Sequence, residues 1–256
     1  MGHTTEPITF PAHSLHVGLL LGPGFSGWCA HERSSGKLVA LHTAFRGELP
    51  HADLLPREAA SASCVVLPEW SILVPESALV PGSEAVHWGA SFGREPQGTL
   101  RTEGLELLDA RSIHTHDPAM ERSAQSLLPH ARTISLQALL VRAAMAQRNN
   151  RDVLLVHCST DRIDVVLAVH GSILLSNTFP ARTPEDVLYF ALLVAERCKR
   201  KPEELQLLHA GPLAHDRNVV LLERYFAHCT PAIAATMPGQ TNGQHWLALT
   251  EQFACV

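Results

Sequence analysis

Residues 151–213 read RDVLLVHCSTDRIDVVLAVHGSILLSNTFPARTPEDVLYFALLVAERCKRKPEELQLLHAGPL, and the fold is decided here. Three runs rich in Val, Ile and Leu come first, at 153–158, 163–169 and 172–179. Ser159-Thr160-Asp161-Arg162 separates the first two, and His170-Gly171 the second pair. Apolar runs bounded by turn residues predict a three-strand antiparallel meander. Thr183-Pro184-Glu185-Asp186 then announces a helix. Thr183 can cap it, Pro184 suits the first helical position, and two carboxylates favour the positive helix end. The helix runs from 187 to about 199 and is apolar almost all round to Ala195, which predicts a buried helix with Leu192 inside. Lys201-Pro202 stops it, and a fourth strand covers 205–209 before Gly211-Pro212.

Working outward, the same order of strand, turn, strand, turn, strand is expected at 15–21, 25–32 and 38–45, through Gly22-Pro23-Gly24 and Ser34-Ser35-Gly36. A unit repeated about half a chain apart suggests duplication, since solenoids repeat every ~20–50 residues. Between the two units the reading gives a helix at 53–62 and a strand at 64–67. Ser71-Ile72-Leu73-Val74-Pro75 is extended, held by its prolines to a sheet edge or a connection. Loops follow through Gly82, Gly89, Gly93, Pro96 and Gly98, then strands at 98–102 and 105–113. A helix at 118–128 is capped by Asp117, and a further helix covers 136–147. Asn149-Asn150 is the expected boundary between an N-terminal half with an irregular insert, 1–149, and a C-terminal half, 150–256. Beyond the central unit a helix is expected at 215–227, a strand at 231–236, a loop at 237–244 and a terminal segment at 246–254. Each half mixes a meander with alternating helices and strands, which is α/β with a mixed sheet. The second half has the order βββαβαβ of a ribonuclease H-like fold. Two such halves make a duplicated ribonuclease H-like (actin-like ATPase) fold.

The chain also resembles a specific family. Ser71-Ile72-Leu73-Val74-Pro75-Glu76-Ser77-Ala78-Leu79 is similar to its FTLVPEALF segment. Ser176-Asn177-Thr178-Phe179, followed by Thr183-Pro184-Glu185-Asp186-Val187-Leu188-Tyr189-Phe190, is similar to its NSF…TPEDFLYY segment. This is the bacterial domain-of-unknown-function 3822 family, related to the actin-like ATPases and closest to their pilus-assembly member. The resemblance spans roughly residues 15–226. It implies a fold and a kinship, and carries no established reaction.

Composition narrows the function classes. At 256 residues, 46% hydrophobic and 18% charged, the chain is an ordinary globular protein with a formal charge of -5. That charge argues against a nucleic-acid surface, which needs clustered positive charge. The only lysines are Lys37, Lys199 and Lys201, and Lys37 precedes Leu38, so no Walker-type phosphate loop exists. Six scattered cysteines without a CxxC pair read as reduced, which implies a cytoplasmic protein. No signal peptide is expected at residues 1–10, and the longest apolar runs fall short of the ~20 residues of a membrane span, so no membrane insertion is expected.

Actin-like ATPases hold nucleotide between two hairpin turns, where carboxylates order Mg²⁺ and backbone N–H groups approach the phosphates. Here the first turn, Gly22-Pro23-Gly24-Phe25-Ser26-Gly27, follows leucines where an Asp is expected. The second has His157 about where Asp is expected, with Asp161 further into the turn as a turn former. Leu208-His209-Ala210-Gly211-Pro212 offers one glycine where the adenosine loop usually has two. The leading reading is therefore a non-catalytic binding or scaffold module with a degenerate nucleotide site, no cofactor and an unnamed protein partner. The alternative is an ATP-binding or phosphotransfer enzyme with Mg²⁺, keeping Gly22, Gly24, Ser26, Ser159, Thr160, Asp161 and Gly211 as a reduced site. A third reading takes Gly89-Ala90-Ser91-Phe92-Gly93 as the GxSxG of a serine hydrolase, although a nucleophile elbow needs a buried strand before and a helix after. Gly22–Gly27 also fits GxGxxG but is followed by a strand where a dinucleotide site needs a helix. His114-Thr115-His116-Asp117 is the best metal-ligand candidate, with a strand end leading into a helix cap as the plainer reading.

Overall fold

The computed structural model describes residues 11–45, 49–147, 151–214, 216–237 and 242–255. The first half opens with β1 (Leu15–Gly22), β2 (Phe25–Glu32) and β3 (Leu38–Phe45), an antiparallel meander. β4 (Ser61–Val66) runs parallel to β1. An insert follows: β5 (Glu69–Pro75), α1 (Glu84–Phe92), β6 (Arg101–Leu105) and β7 (Ala110–His116). Its three strands form a separate antiparallel sheet in the order β5-β7-β6. The half then finishes with α2 (Pro118–Leu127), β8 (Arg132–Thr133), parallel to β4, and α3 (Leu136–Ala146). The second half runs β9 (Val153–Ser159), β10 (Arg162–Val169), β11 (Ser172–Pro180), α4 (Pro184–Arg197), β12 (Gln206–Ala210), α5 (Asp216–Glu223) and β13 (His228–Pro231), then α6 (Leu247–Thr250) between short 3-10 turns.

The two five-stranded sheets have the orders β3-β2-β1-β4-β8 and β11-β10-β9-β12-β13. In both, the first three strands pair antiparallel and the last two join parallel. β1 and β9 therefore hold equivalent central positions in two sheets of one topology. This is the α/β, actin-like arrangement that the meander at 151–180 predicts. The five layers are α2, the first sheet, a shared middle layer, the second sheet, and α4 with α5. Alternation along β1 sends Leu15, Val17, Leu19 and Leu21 towards α2, and Leu20 into the middle layer. That layer holds α3, which packs on β9–β11, and the C-terminal segment, which packs on β1, β2 and β4. Each half thus covers the inner face of the other half's sheet with its own last segment.

Several expectations are corrected. No helix occupies 53–60: this stretch is turns, because Pro56 would interrupt a helix, and β4 already starts at Ser61. The glycine-rich loop around Gly89 is instead helix α1, ended by Gly93 at φ 64. Burying Trp88 against Val74 and Ile113 outweighs the cost of Gly89, about 1 kcal/mol relative to Ala. Ser91 lies within that helix and is exposed, so no strand-to-helix elbow presents it. Helix α4 is not buried all round. Val187, Ala191, Val194 and Ala195 face the sheet, Leu192 is half-buried, and Tyr189 is 59% exposed, because no further layer covers the outer face. The expected strand at 231–236 lies earlier, as β13. Asn149-Asn150 lies outside the described residues. Asp117 caps α2 and Thr183 caps α4 through a capping box, as expected.

Candidate functional site

The two hairpins carry two-residue loops at the same end of the sheets. In the first, Gly22 pairs with Phe25 across Pro23-Gly24, and Gly24 takes φ 84. In the second, Ser159 pairs with Arg162 across Thr160-Asp161, and Asp161 takes φ 56. A positive φ at that place closes a tight turn, and Asp tolerates it better than most side chains. The turns meet directly. The Thr160 hydroxyl donates to the Pro23 carbonyl, and a Cβ on Gly24 would sit 3.8 Å from Thr160 Oγ1. The Phe25 ring is buried and lies over Gly22, in the space a side chain there would fill.

The remaining candidates gather at the same end. Ser26 is buried on β2, and Ser159 is buried with a hydroxyl that has no hydrogen-bond partner. The Asp161 side chain is 67% exposed, with Arg182 Nε at 3.9 Å from its carboxylate. Gly211 ends β12 at φ 99, where a Cβ would stand 2.7 Å from the Cys158 nitrogen. Its N–H donates to Gln244 O at 3.0 Å, which binds the loop to the C-terminal segment. All seven residues thus converge, while the first turn brings no carboxylate.

A second group at this end escaped the sequence reading. Asp164 faces His157 across β9 and β10 and Thr178 across β10 and β11. Its carboxylate accepts hydrogen bonds from the Arg162 guanidinium and from Thr178 Oγ1 at 2.7 Å. Burial opposes the charge, yet the Arg162 guanidinium holds this carboxyl well below the usual carboxylate range. His157 Nδ1 stands 3.8 Å away, too far for a direct bond, and the ring is fully buried. Arg162 also donates to the backbone carbonyl of Glu69, tying the second hairpin to the insert. The signal in the sequence was an aspartate within the apolar run Ile163-Asp164-Val165-Val166.

Glu69 is itself buried at the N-terminus of α3. It accepts from the Leu136 N–H at 2.6 Å, the Gln137 N–H at 3.1 Å, Ser135 Oγ at 3.0 Å and His116 Nε2 at 3.3 Å. A carboxylate there meets the positive helix end and satisfies amides that lack intrahelical partners. His114 and His116 share a face of β7, 5.2 Å apart between ring centres. Among the described residues no group of three His, Cys, Asp or Glu could hold a metal ion. Burial pushes the Cys29 and Cys158 thiols up to about 12, which leaves them unreactive.

With this geometry established, the comparisons locate the chain. A family model described as "Protein of unknown function (DUF3822)" matches residues 64–229. No curated protein matches in sequence. Among solved structures, the chain is similar to a Bacteroides thetaiotaomicron protein with an actin-like ATPase fold and unknown function, at TM-score 0.77 and 13% identity over 96% of this chain and 97% of that one. It is similar to a chain of the PilM–PilN type IV pilus biogenesis complex at TM-score 0.58 and 13% identity, covering 95% and 99%. The ethanolamine utilization protein EutJ from Carboxydothermus hydrogenoformans gives TM-score 0.50 and 13% identity, covering 98% and 92%. At these identities the likeness establishes the actin-like fold. No described helix is long and apolar enough to cross a membrane.

Proposed function

The chain belongs to the DUF3822 family, and we propose that this member is a non-hydrolysing actin-like module that holds a protein partner. The observation that carries the reading is the contact between the two hairpin turns. Thr160 is bonded to Pro23, and the Phe25 ring covers Gly22, so the two turns stand in contact where the alternative reading would seat the phosphates. The chemistry agrees with the geometry. Ordering Mg²⁺ takes one or two carboxylates with waters, and the first turn supplies none. Asp164 is occupied by Arg162 and Thr178, and Asp161 stands at the surface beside Arg182. These residues do not fit a magnesium triphosphate. A complex between a protein of the same fold and a second protein, PilM with PilN, supports partner binding as a use for the fold. Six free cysteines fit the reducing environment of the cytoplasm.

Isothermal calorimetry with ATP and Mg²⁺ on the purified chain tests the reading. No binding heat and no ATP turnover are expected. Phe25→Ala, which removes the ring over Gly22, should not restore binding, because the missing carboxylates remain missing. Tight magnesium-dependent binding, or turnover abolished by Asp161→Ala, would make the protein an enzyme and overturn the proposal.

A further inference from the structure

The outer layer of the second half contains a groove between the first turn of α4 and the length of α5, about 590 Å³ in volume. Through Arg182, Thr183, Pro184 and Arg217 it continues into a narrower pocket of about 260 Å³ that reaches under the second hairpin turn. On α5 the lining residues are Arg217, Val220 and Leu221, and Arg224 lines the groove from the turn just past the end of the helix. The i, i+3, i+4 spacing puts the first three on one helix face, so an apolar centre lies between two guanidinium groups. Val220 is 49% exposed, an apolar surface left open to water. The pocket behind is apolar through Ala181, Val187 and Leu213, and the partnerless hydroxyl of Ser159 lies in its wall.

Charge identifies what fits. Of the described carboxylates, Glu185 lines the groove and Asp161, 3.9 Å from Arg182, lines the pocket, while Asp186 accepts the N–H groups of Arg182 and Thr183 in the helix cap. Among the described residues Arg217 and Arg224 have no carboxylate partner. These two guanidinium groups border the apolar strip on either side.

We propose that this groove docks an acidic segment of a partner protein, with an apolar side chain in the inner pocket and flanking carboxylates on Arg217 and Arg224. Arginine forks match carboxylates bidentately, and a side chain buried in a central pocket is the usual anchor of such a contact. The proposal rests on the partner-holding reading above and names the site and chemistry of that contact. An anionic membrane or a nucleic acid would use the arginines but not the apolar pocket.

A phage-displayed library of random peptides panned on the full chain tests the assignment, with the most enriched peptide then labelled and measured by fluorescence anisotropy. Enriched peptides should carry Asp or Glu on either side of Leu or Phe. Their affinity should fall at least about tenfold on R217E/R224E, equivalent to ~1.4 kcal/mol, and fall as salt is raised. Both arginines are exposed, so the variant should keep the wild-type melting temperature. Leu213→Trp, which fills the pocket, should weaken the same peptide while leaving the arginines in place. No enrichment, enrichment of peptides without carboxylates, affinity unchanged in R217E/R224E, or binding only to vesicles of anionic lipid each overturns the groove assignment. Calorimetry with ATP on the same preparation separates the two proposals. Tight nucleotide binding defeats the partner-holding reading, whereas a silent nucleotide titration with no peptide defeats the groove alone.

Discussion

Glu69→Gln is the substitution that most directly tests how the insert is fastened to the rest of the molecule. The residue is 1% exposed, and four donors, one from β7 and three from the N-terminus of α3, converge on it. Glutamine keeps the shape but removes the charge and turns an amide NH₂ towards groups that are donors themselves. Burial alone would raise the Glu69 pKa; the hydrogen bond from His116, the nearby histidines and the Gln137 N–H bring it down from 4.5 to about 2. A depression of that size corresponds to ~3 kcal/mol of preference for the ionised form in the folded state. Breaking a buried charge-assisted network costs a similar amount, so the expected loss at pH 7 is ~2–4 kcal/mol. The sign follows from proton uptake. As pH falls, the unfolded carboxyl takes its proton first, near 4.5, so the stabilisation is complete above that value and disappears towards pH 2. Urea unfolding of wild type and variant at pH 7 and pH 3 checks both points. The gap between them should shrink at pH 3 to about half. A loss below about 1 kcal/mol at pH 7, or a gap of equal size at both pH values, would refute the idea that an ionised Glu69 holds α3 to the insert.

Gly211→Ala should destabilise by ~3 kcal/mol or more, because it combines a left-handed φ of 99 with a Cβ against the Cys158 backbone. An unchanged melting temperature would mean that the loop is not seated on β9. Asp161→Ala should cost no more than ~1 kcal/mol, since its side chain is exposed and its one ion pair is long; a larger loss in urea would show that the turn depends on it. His16, His31 and His42 are each lowered to about 4, mainly by burial. The unfolded chain takes up these protons near 6.5, so stability should fall as pH drops from 6.5 towards 4, by roughly 1 kcal/mol per histidine after solvent screening. A urea midpoint that stays flat across that window would contradict the neutral, buried state of these rings.

The meander, α4 and β12 of the second half were legible nearly to their ends, and the reason is local. Its strands are apolar runs closed by two-residue turns, and α4 announces itself through Thr183, Pro184 and Asp186, which form the observed capping box. The first half was legible in its meander and in helices α2 and α3, and obscure in the stretches between. Gly89 and Gly93 suggested loops, yet one sits inside α1 and the other ends it, because a long-range contact of Trp88 with the insert sheet outweighs local propensity. The apolar circumference of α4 misled in the other direction. Its composition reports how much apolar surface a helix carries, whereas burial depends on whether another layer exists to cover it, and none does.

The candidate site raises a sharper version of the same difficulty. Glycines near a hairpin tip suggest a phosphate cradle, because such a cradle needs close backbone approach. In this chain the close approach is made by other parts of the chain. A Cβ on Gly22 would enter the Phe25 ring, one on Gly27 would stand 2.9 Å from the His42 carbonyl and 3.1 Å from Leu249, and one on Gly211 would press on Cys158. Internal packing is therefore sufficient reason for a glycine at each of these places. The motif alone cannot separate the two causes, since both ask for the same missing side chain. The carboxylates do separate them. Asp161 and Asp164 both lie on the second hairpin, and Asp164 is locked between Arg162 and Thr178. The sequence leading into the first turn runs Leu19-Leu20-Leu21-Gly22 and brings no carboxylate. Introducing one, as Leu20→Asp, would put an unpaired charge into the middle layer, where Leu20 is fully buried, and would cost several kcal/mol of stability. Packing in the core that joins the two halves is thus sufficient reason for a leucine at position 20.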